Sequence, residues 1–279
     1  PFTVPLGTTF GAYAARSPVA GGAGFIDDRR SRIAGEFASS VGIESAPMIH
    51  AVAISTGTAP DYQETILIIR VDLALFYQGL LFALEERLGP EFAGKIIVSA
   101  SHSHSAWANY TVDAMQVAFG PFRRTVFEAM LDDLETVARA ALDARRPAAI
   151  GIAHDGDFDP TDAVNRDRRG ENDAVEFGLD DDHNLYVIRI DDAVDGSPIA
   201  LLPVFGMHGT VLGDENMLAS GDAPGGVNLA IAEMFDATAR GPVVVAHLQG
   251  AGGNVSPVGL ERGPACPPGG PLCENFMRN

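Results

Sequence analysis

Two histidines separated by one residue, His102 and His104 in the segment IIVSASHSHS (Ile96–Ser105), are the best candidates for chemistry in these 279 residues. Alternate side chains of an extended chain share a face, so both imidazoles can enter one cavity just beyond a strand end. Such a pair suits a zinc ion, or a metal with an acid/base partner. His208 follows a second apolar run, ALLPVFGMHGT. Two strand ends that deliver histidines to one sheet edge make a metal site. A third segment, QGAGGNVSP (Gln249–Pro257), enters a glycine-rich loop that presents Ser256 at its rim, with backbone N–H groups turned toward a developing oxyanion. It is not a GxSxG elbow, because Pro257 forbids that turn, and a plain loop serine is the alternative. In AVNRDRR, Arg166 offers a planar fork for a carboxylate or carbonyl, against the default of a surface arginine. His50, His154, His183 and His247 lack a partner at ligand spacing and read as core or surface residues.

These groups need elements to position them. β-Branched runs at Met48–Ser55 and Thr65–Leu73 predict a hairpin joined around Pro60. A helix over Phe76–Leu88 stops at Gly89-Pro90 and returns the chain to a strand over Lys95–Ser101. Pro121–Arg146 is the clearest helix, with Val126, Met130, Leu134 and Val137 on one stripe. A strand at Ala148–Ala153 precedes a strand pair, Asn184–Ile190 and Ile199–Met207, around the Asp195-Gly196 turn. Ala223–Ala239 reads as helix and Pro242–Gln249 as a last buried strand, with loop from Gly250 to Asn279. Residues 1–45 suggest loops and a short helix framing an entrance, with a charged knot at Asp27–Arg32. The sum is an α/β (α+β) fold of mixed β-sheets with flanking helices, sandwich-like, in one domain over 1–279.

A formal charge of −18 argues against a nucleic-acid partner. Acidic residues crowd Asp155–Asp195, which reads as a solvated loop, with a Ca²⁺ or Mg²⁺ site as the alternative. No apolar stretch approaches the roughly 18 residues of a membrane-spanning helix. The start at Pro1 suggests a removed signal peptide, and Cys266 and Cys273 in CPPGGPLC suit a small disulfide loop, two thiols being the alternative. Both features point to a secreted, periplasmic or cell-surface protein.

Taken in order, these segments resemble the neutral (non-lysosomal) ceramidase family, zinc amidases acting on the N-acyl bond of ceramide. His102-Ser103-His104-Ser105 is similar to the family's HTHSG, Asn165-Arg166 to its NRSP, His208–Asp222 to its HxxSM and SDN segments, and Gly253–Pro257 to its GDVSP. Asp72 in RVDLALF and the closing cysteines match as well. The resemblance implies that His102 and His208 bind one zinc ion, while His104, Arg166 and Ser256 serve catalysis and Gly253 and Asn254 contact substrate. It implies an N-acyl lipid substrate, contact with a membrane surface, and two further zinc ligands, a Glu and a Tyr, from a C-terminal remainder beyond Asn279. The fold would then be incomplete at that end. Asp167 and Arg168 stand where the family has Ser-Pro, which leaves Arg168 and Arg169 as alternatives to Arg166, and Ala106-Trp107-Ala108 replaces a glycine-rich turn at the expected substrate entrance. The rival readings are a serine-type or self-processing hydrolase using Ser256 or a following chain, and a non-catalytic lipid- or partner-binding module.

Overall fold

The structure, a computed structural model, describes residues 1–13, 16–18, 31–112, 115–167, 182–236 and 241–258. Cys266, Cys273, Arg168, Arg169 and most of the Asp27–Arg32 knot lie outside the described residues. A two-residue strand, β1 (Gly42–Ile43), precedes the expected hairpin of β2 (Ile49–Thr58) and β3 (Asp61–Val71), which turns at Pro60. Helix α1 (Gln78–Leu88) ends at Gly89, whose φ of 117° suits glycine, and leads to β4 (Ile96–Ala100), parallel to β3. A single turn, α2 (Gln116–Phe119), is followed by the long helix α3 (Arg124–Asp143). Next come β5 (Ala148–Asp155), the short β6 (Asn165–Asp167), and the pair β7 (Leu185–Asp192) and β8 (Pro198–Phe205). After β9 (Leu218–Ala219) the chain forms α4 (Asp222–Asp236), then β10 (Val244–Val245), β11 (Leu248–Gln249) and β12 (Val255–Pro257).

Three layers result. Strand β3 sits between β2 and β4, and its side chains alternate between two faces. Leu67, Ile69 and Val71 bury against Leu80 and Leu84 of α1 and against Val126, Met130, Leu134 and Ala138 of α3, spaced four apart as one helix stripe requires. On the opposite face, Ile68 of β3 and Val52 of β2 meet Ile190, Ala200, Leu202 and Ala246 of the second sheet, ordered β10-β8-β7-β5. Mixed sheets with flanking helices are thus observed. Strand β5 forms the outer edge of the second sheet among the described residues, and all its residues are exposed.

Several local expectations need correction. The strand read over Pro242–Gln249 is two short strands on β8, because the amide of His247 donates to Asn228 Oδ1 (2.8 Å) and leaves the ladder. The stretch after Gly253 is not all loop: β12 pairs antiparallel with β6. That pairing follows from Asp159, whose carboxylate accepts the amides of Ala163, Val164 and Asn165 and turns the chain toward it. Ala106-Trp107-Ala108 lines no entrance, since all three residues are fully buried and Trp107 packs against Phe10 at 5.8 Å. The described part of residues 1–45 contains turns, isolated bridges and β1, and most of the stretch where a short helix is expected lies outside the described residues.

Candidate metal centre

Strand β4 ends at Ala100, and Ser101 still donates its amide to Val71 O (2.9 Å). His102 then turns left-handed, with φ 60°. The extended chain assumed between His102 and His104 is therefore absent, and the two rings meet through a sharp turn instead. The turn is held by the segment after β8: Ser103 bridges Gly209 in parallel, and His104 donates its amide to Gly209 O (3.0 Å). A Cβ at Gly209 would lie 2.6 Å from the carbonyl oxygen of His102, so only glycine permits this approach. It brings His208 onto the same spot. The ring centroids of His102 and His208 are 4.3 Å apart, those of His102 and His104 4.8 Å, and those of His104 and His208 5.3 Å.

Hydrogen bonds set the tautomers. His102 Nδ1 lies 2.5 Å from Ala74 O, and His208 Nδ1 lies 2.9 Å from Gly252 O. A carbonyl can only accept, so each Nδ1 carries the proton and each Nε2 presents its lone pair. Carbonyl-oriented imidazoles of this kind are how proteins hold metal-ligating histidines. His104 Nε2 is 3.2 Å from His102 Nε2, and one ligand atom from each of the three histidines falls within 4.8 Å of the others. Two imidazole nitrogens on one tetrahedral zinc ion would stand about 3.3 Å apart. The donor set therefore fits a divalent cation, and these three histidines could bind one.

Beside His102 lies a cavity of about 240 Å³, lined also by Gln249, Gly250, Gly252 and Gly253 with Ala74 and Ala100. Gln249 fixes this rim, accepting the amide of Met207 (3.0 Å) and donating to Met207 O (2.5 Å). Strands β6 and β12 place Arg166 directly opposite Ser256, so these two candidates are cross-strand neighbours. Asn165 ties the pair to the histidine side by donating to Gly206 O (2.6 Å). Ser256 is 3% exposed, and neither it nor Asn254 lines the cavity, whereas Gly253 does.

The remaining histidines are elsewhere. His50 is half-buried and His247 buried, both near Arg70, and loss of solvent first, then the guanidinium, pushes each pKa down to about 4. His154 stacks on Tyr186 and bonds Asn184 at 2.7 Å. His183 faces Asp157 and Asp162 at 3.6 and 3.7 Å. Tyr13, whose ring centroid lies 4.6 Å from that of His104, and Arg16 touch the site from behind and carry no sequence signal of their own, while Gln249 and Asp222 stand at the ends of segments the sequence singles out and bond the backbone on either side of His208.

The profile of the family described as neutral/alkaline non-lysosomal ceramidase, N-terminal, matches residues 50–278. Neutral ceramidase A of Dictyostelium discoideum is 26% identical over 232 residues, covering 79% of this chain and 30% of that protein. Neutral ceramidase B of the same organism is 27% identical over 200 residues, covering 67% of this chain and 27% of its own length. The crystal structure of neutral ceramidase from Pseudomonas aeruginosa superposes with a TM-score of 0.72 at 18% identity, over 99% of this chain and 40% of that one. A structure of a ceramidase complexed with C2 gives a TM-score of 0.69 at 17% identity, over 91% and 36%. The chain thus spans less than half the length of each of these relatives.

Proposed function

The chain belongs to the neutral/alkaline non-lysosomal ceramidase family, and from that premise we propose that it is part of a zinc-dependent amidohydrolase cleaving the N-acyl bond of ceramide or a related N-acyl lipid. The observation that carries the proposal is the convergence of His102, His104 and His208, one ring nitrogen of each lying within 4.8 Å of the others. His102 and His208 hold the ion, each oriented by a backbone carbonyl. A zinc ion bound there supplies Lewis acidity, polarising a carbonyl and lowering the pKa of water to about 7.

The chain's own groups do the rest. His104, whose Nε2 lies 3.2 Å from that of His102, holds or passes a proton at Nε2 toward the leaving amine. Gly253, which lines the cavity, borders the amide with its neighbour Asn254, and the cross-strand pair Arg166 and Ser256, which lies outside the cavity lining, would have to turn toward the substrate to stabilise the oxygen on which charge develops. Further ligands, a Glu and a Tyr in the resemblance, would come from polypeptide other than these 279 residues. We place the 279 residues in one folding unit within a larger catalytic domain. The protein works outside the cytoplasm at a lipid surface. Among the described residues no helix is long and apolar enough to cross a membrane.

Elemental analysis of the purified full-length protein should find about one zinc per chain. His102→Ala and His208→Ala should remove most of it, and His154→Ala little. Equal loss from all three variants would overturn the assignment.

A further inference from the structure

We infer that Arg16 and Asp222 are paired positioning residues, a buried cation and a buried anion that grip opposite backbone polarities of the loop 209–216 and so hold the His104 turn against the His208 segment beside the proposed ion. The inference rests on the metal reading above. Arg16, 2% exposed, sends its guanidinium to four backbone carbonyls. Nη1 donates to His104 O (2.5 Å), Nε to Asp214 O (2.9 Å), and Nη2 to Gly213 O (3.0 Å) and Asn216 O (2.8 Å). One rigid fork thereby joins the segment of the second histidine to the loop that follows the third.

Asp222 works from the other side. Its carboxylate accepts the amides of Val211 (2.9 Å) and Leu212 (3.1 Å), together with that of Ala223 at the start of α4 (2.6 Å). Loop carbonyls thus point at a positive charge and loop amides at a negative one, an arrangement in which each peptide dipole is favourably aligned. Burial lowers the Arg16 pKa to about 10, which leaves it cationic at neutral pH. Burial also pushes the Asp222 carboxyl up, and the three amides pull it back. Tyr13 completes the assembly: its hydroxyl donates to Leu212 O (2.7 Å), its ring lies under the Arg16 guanidinium at 4.6 Å, and its edge meets the His104 ring.

Both residues reach the imidazoles only through backbone, so their removal should loosen the site before it loosens the fold. Arg16→Met keeps the apolar stem and deletes the fork, while Arg16→Lys keeps the charge but presents a point donor in place of a planar one. In the full-length protein, competition titration with Zn²⁺ should show binding weakened about tenfold or more by Arg16→Met, and to an intermediate degree by Arg16→Lys. Hydrogen exchange should accelerate over residues 208–216 in Arg16→Met and remain unchanged over α3. Asp222→Asn, which keeps the shape and removes the charge, should give the same two signatures and stands in if Arg16→Met does not fold. Wild-type affinity, or wild-type protection of the loop, in the folded variants would overturn the inference. Should the wild-type protein bind no zinc, the proposed function fails on its own, and the exchange of the loop then decides whether the clamp exists.

Discussion

Strand β3 presents two faces that solve different problems. Leu67, Ile69 and Val71 enter an apolar layer with α1 and α3. Between them, Ile68 and Arg70 point at the second sheet, and Arg70 forms a fully buried ion pair with Asp72 at 2.6 Å. Asp72 also accepts the amide of Met48 (2.9 Å), and two residues later Ala74 supplies the carbonyl that orients His102. The helix face contributes stability through area removed from water, without regard to direction. The other face carries charge in the interior, where attraction is offset by desolvation and the return is a fixed position for the strand end. The difference teaches that the site is held by buried polar groups on a scaffold held by apolar ones.

The contrast can be broken most forcefully at Arg70. Arg70→Met leaves the Asp72 carboxylate buried without its cation and should cost about 3–5 kcal/mol in urea unfolding. A loss under about 1 kcal/mol would mean that this face is no different from the apolar one. Acid titration tests the same face more gently. His50 and His247 have pKa values near 4 in the folded protein and about 6.5 when unfolded, so the unfolded chain binds more protons between those limits. Their contribution is complete above pH 6.5 and is lost as pH falls toward 4, by up to about 3 kcal/mol for each histidine. Unfolding midpoints at pH 7 and pH 5 should differ accordingly, and His247→Gln should flatten the slope. The smallest effect belongs to the apolar side, where Ile69→Val should cost about 0.5–1.5 kcal/mol with zinc affinity unchanged. A change in affinity there would show that the two faces are coupled.

Much of the apolar scaffold is legible in the sequence, because burial imposes a period. The stripe of α3 and the hairpin of β2 and β3 announce themselves by spacing, and Gly89-Pro90 marks the end of α1. The three imidazoles are legible too, since histidines just past apolar runs are rare enough to notice. The fastenings are not. Arg16 is one arginine in a Gly/Ala-rich stretch, and nothing local distinguishes a guanidinium bonded to four carbonyls from one in solvent. Asp222 and Asp159 each gather three amides, a role that no local spacing announces. The β6–β12 pair is invisible because three-residue strands beside Gly, Asn and Pro carry no period to detect.

The left-handed turn at His102 has one more implication, for anyone who would redesign this chain. A backbone angle of 60° favours glycine or asparagine, and another residue held there costs about 1–2 kcal/mol. A procedure that ranks substitutions by stability alone would therefore favour asparagine at 102 and, in relieving the main chain, delete the imidazole. Thermal robustness and metal capture are in direct competition at this residue, and His102 should be fixed before any other position is allowed to vary.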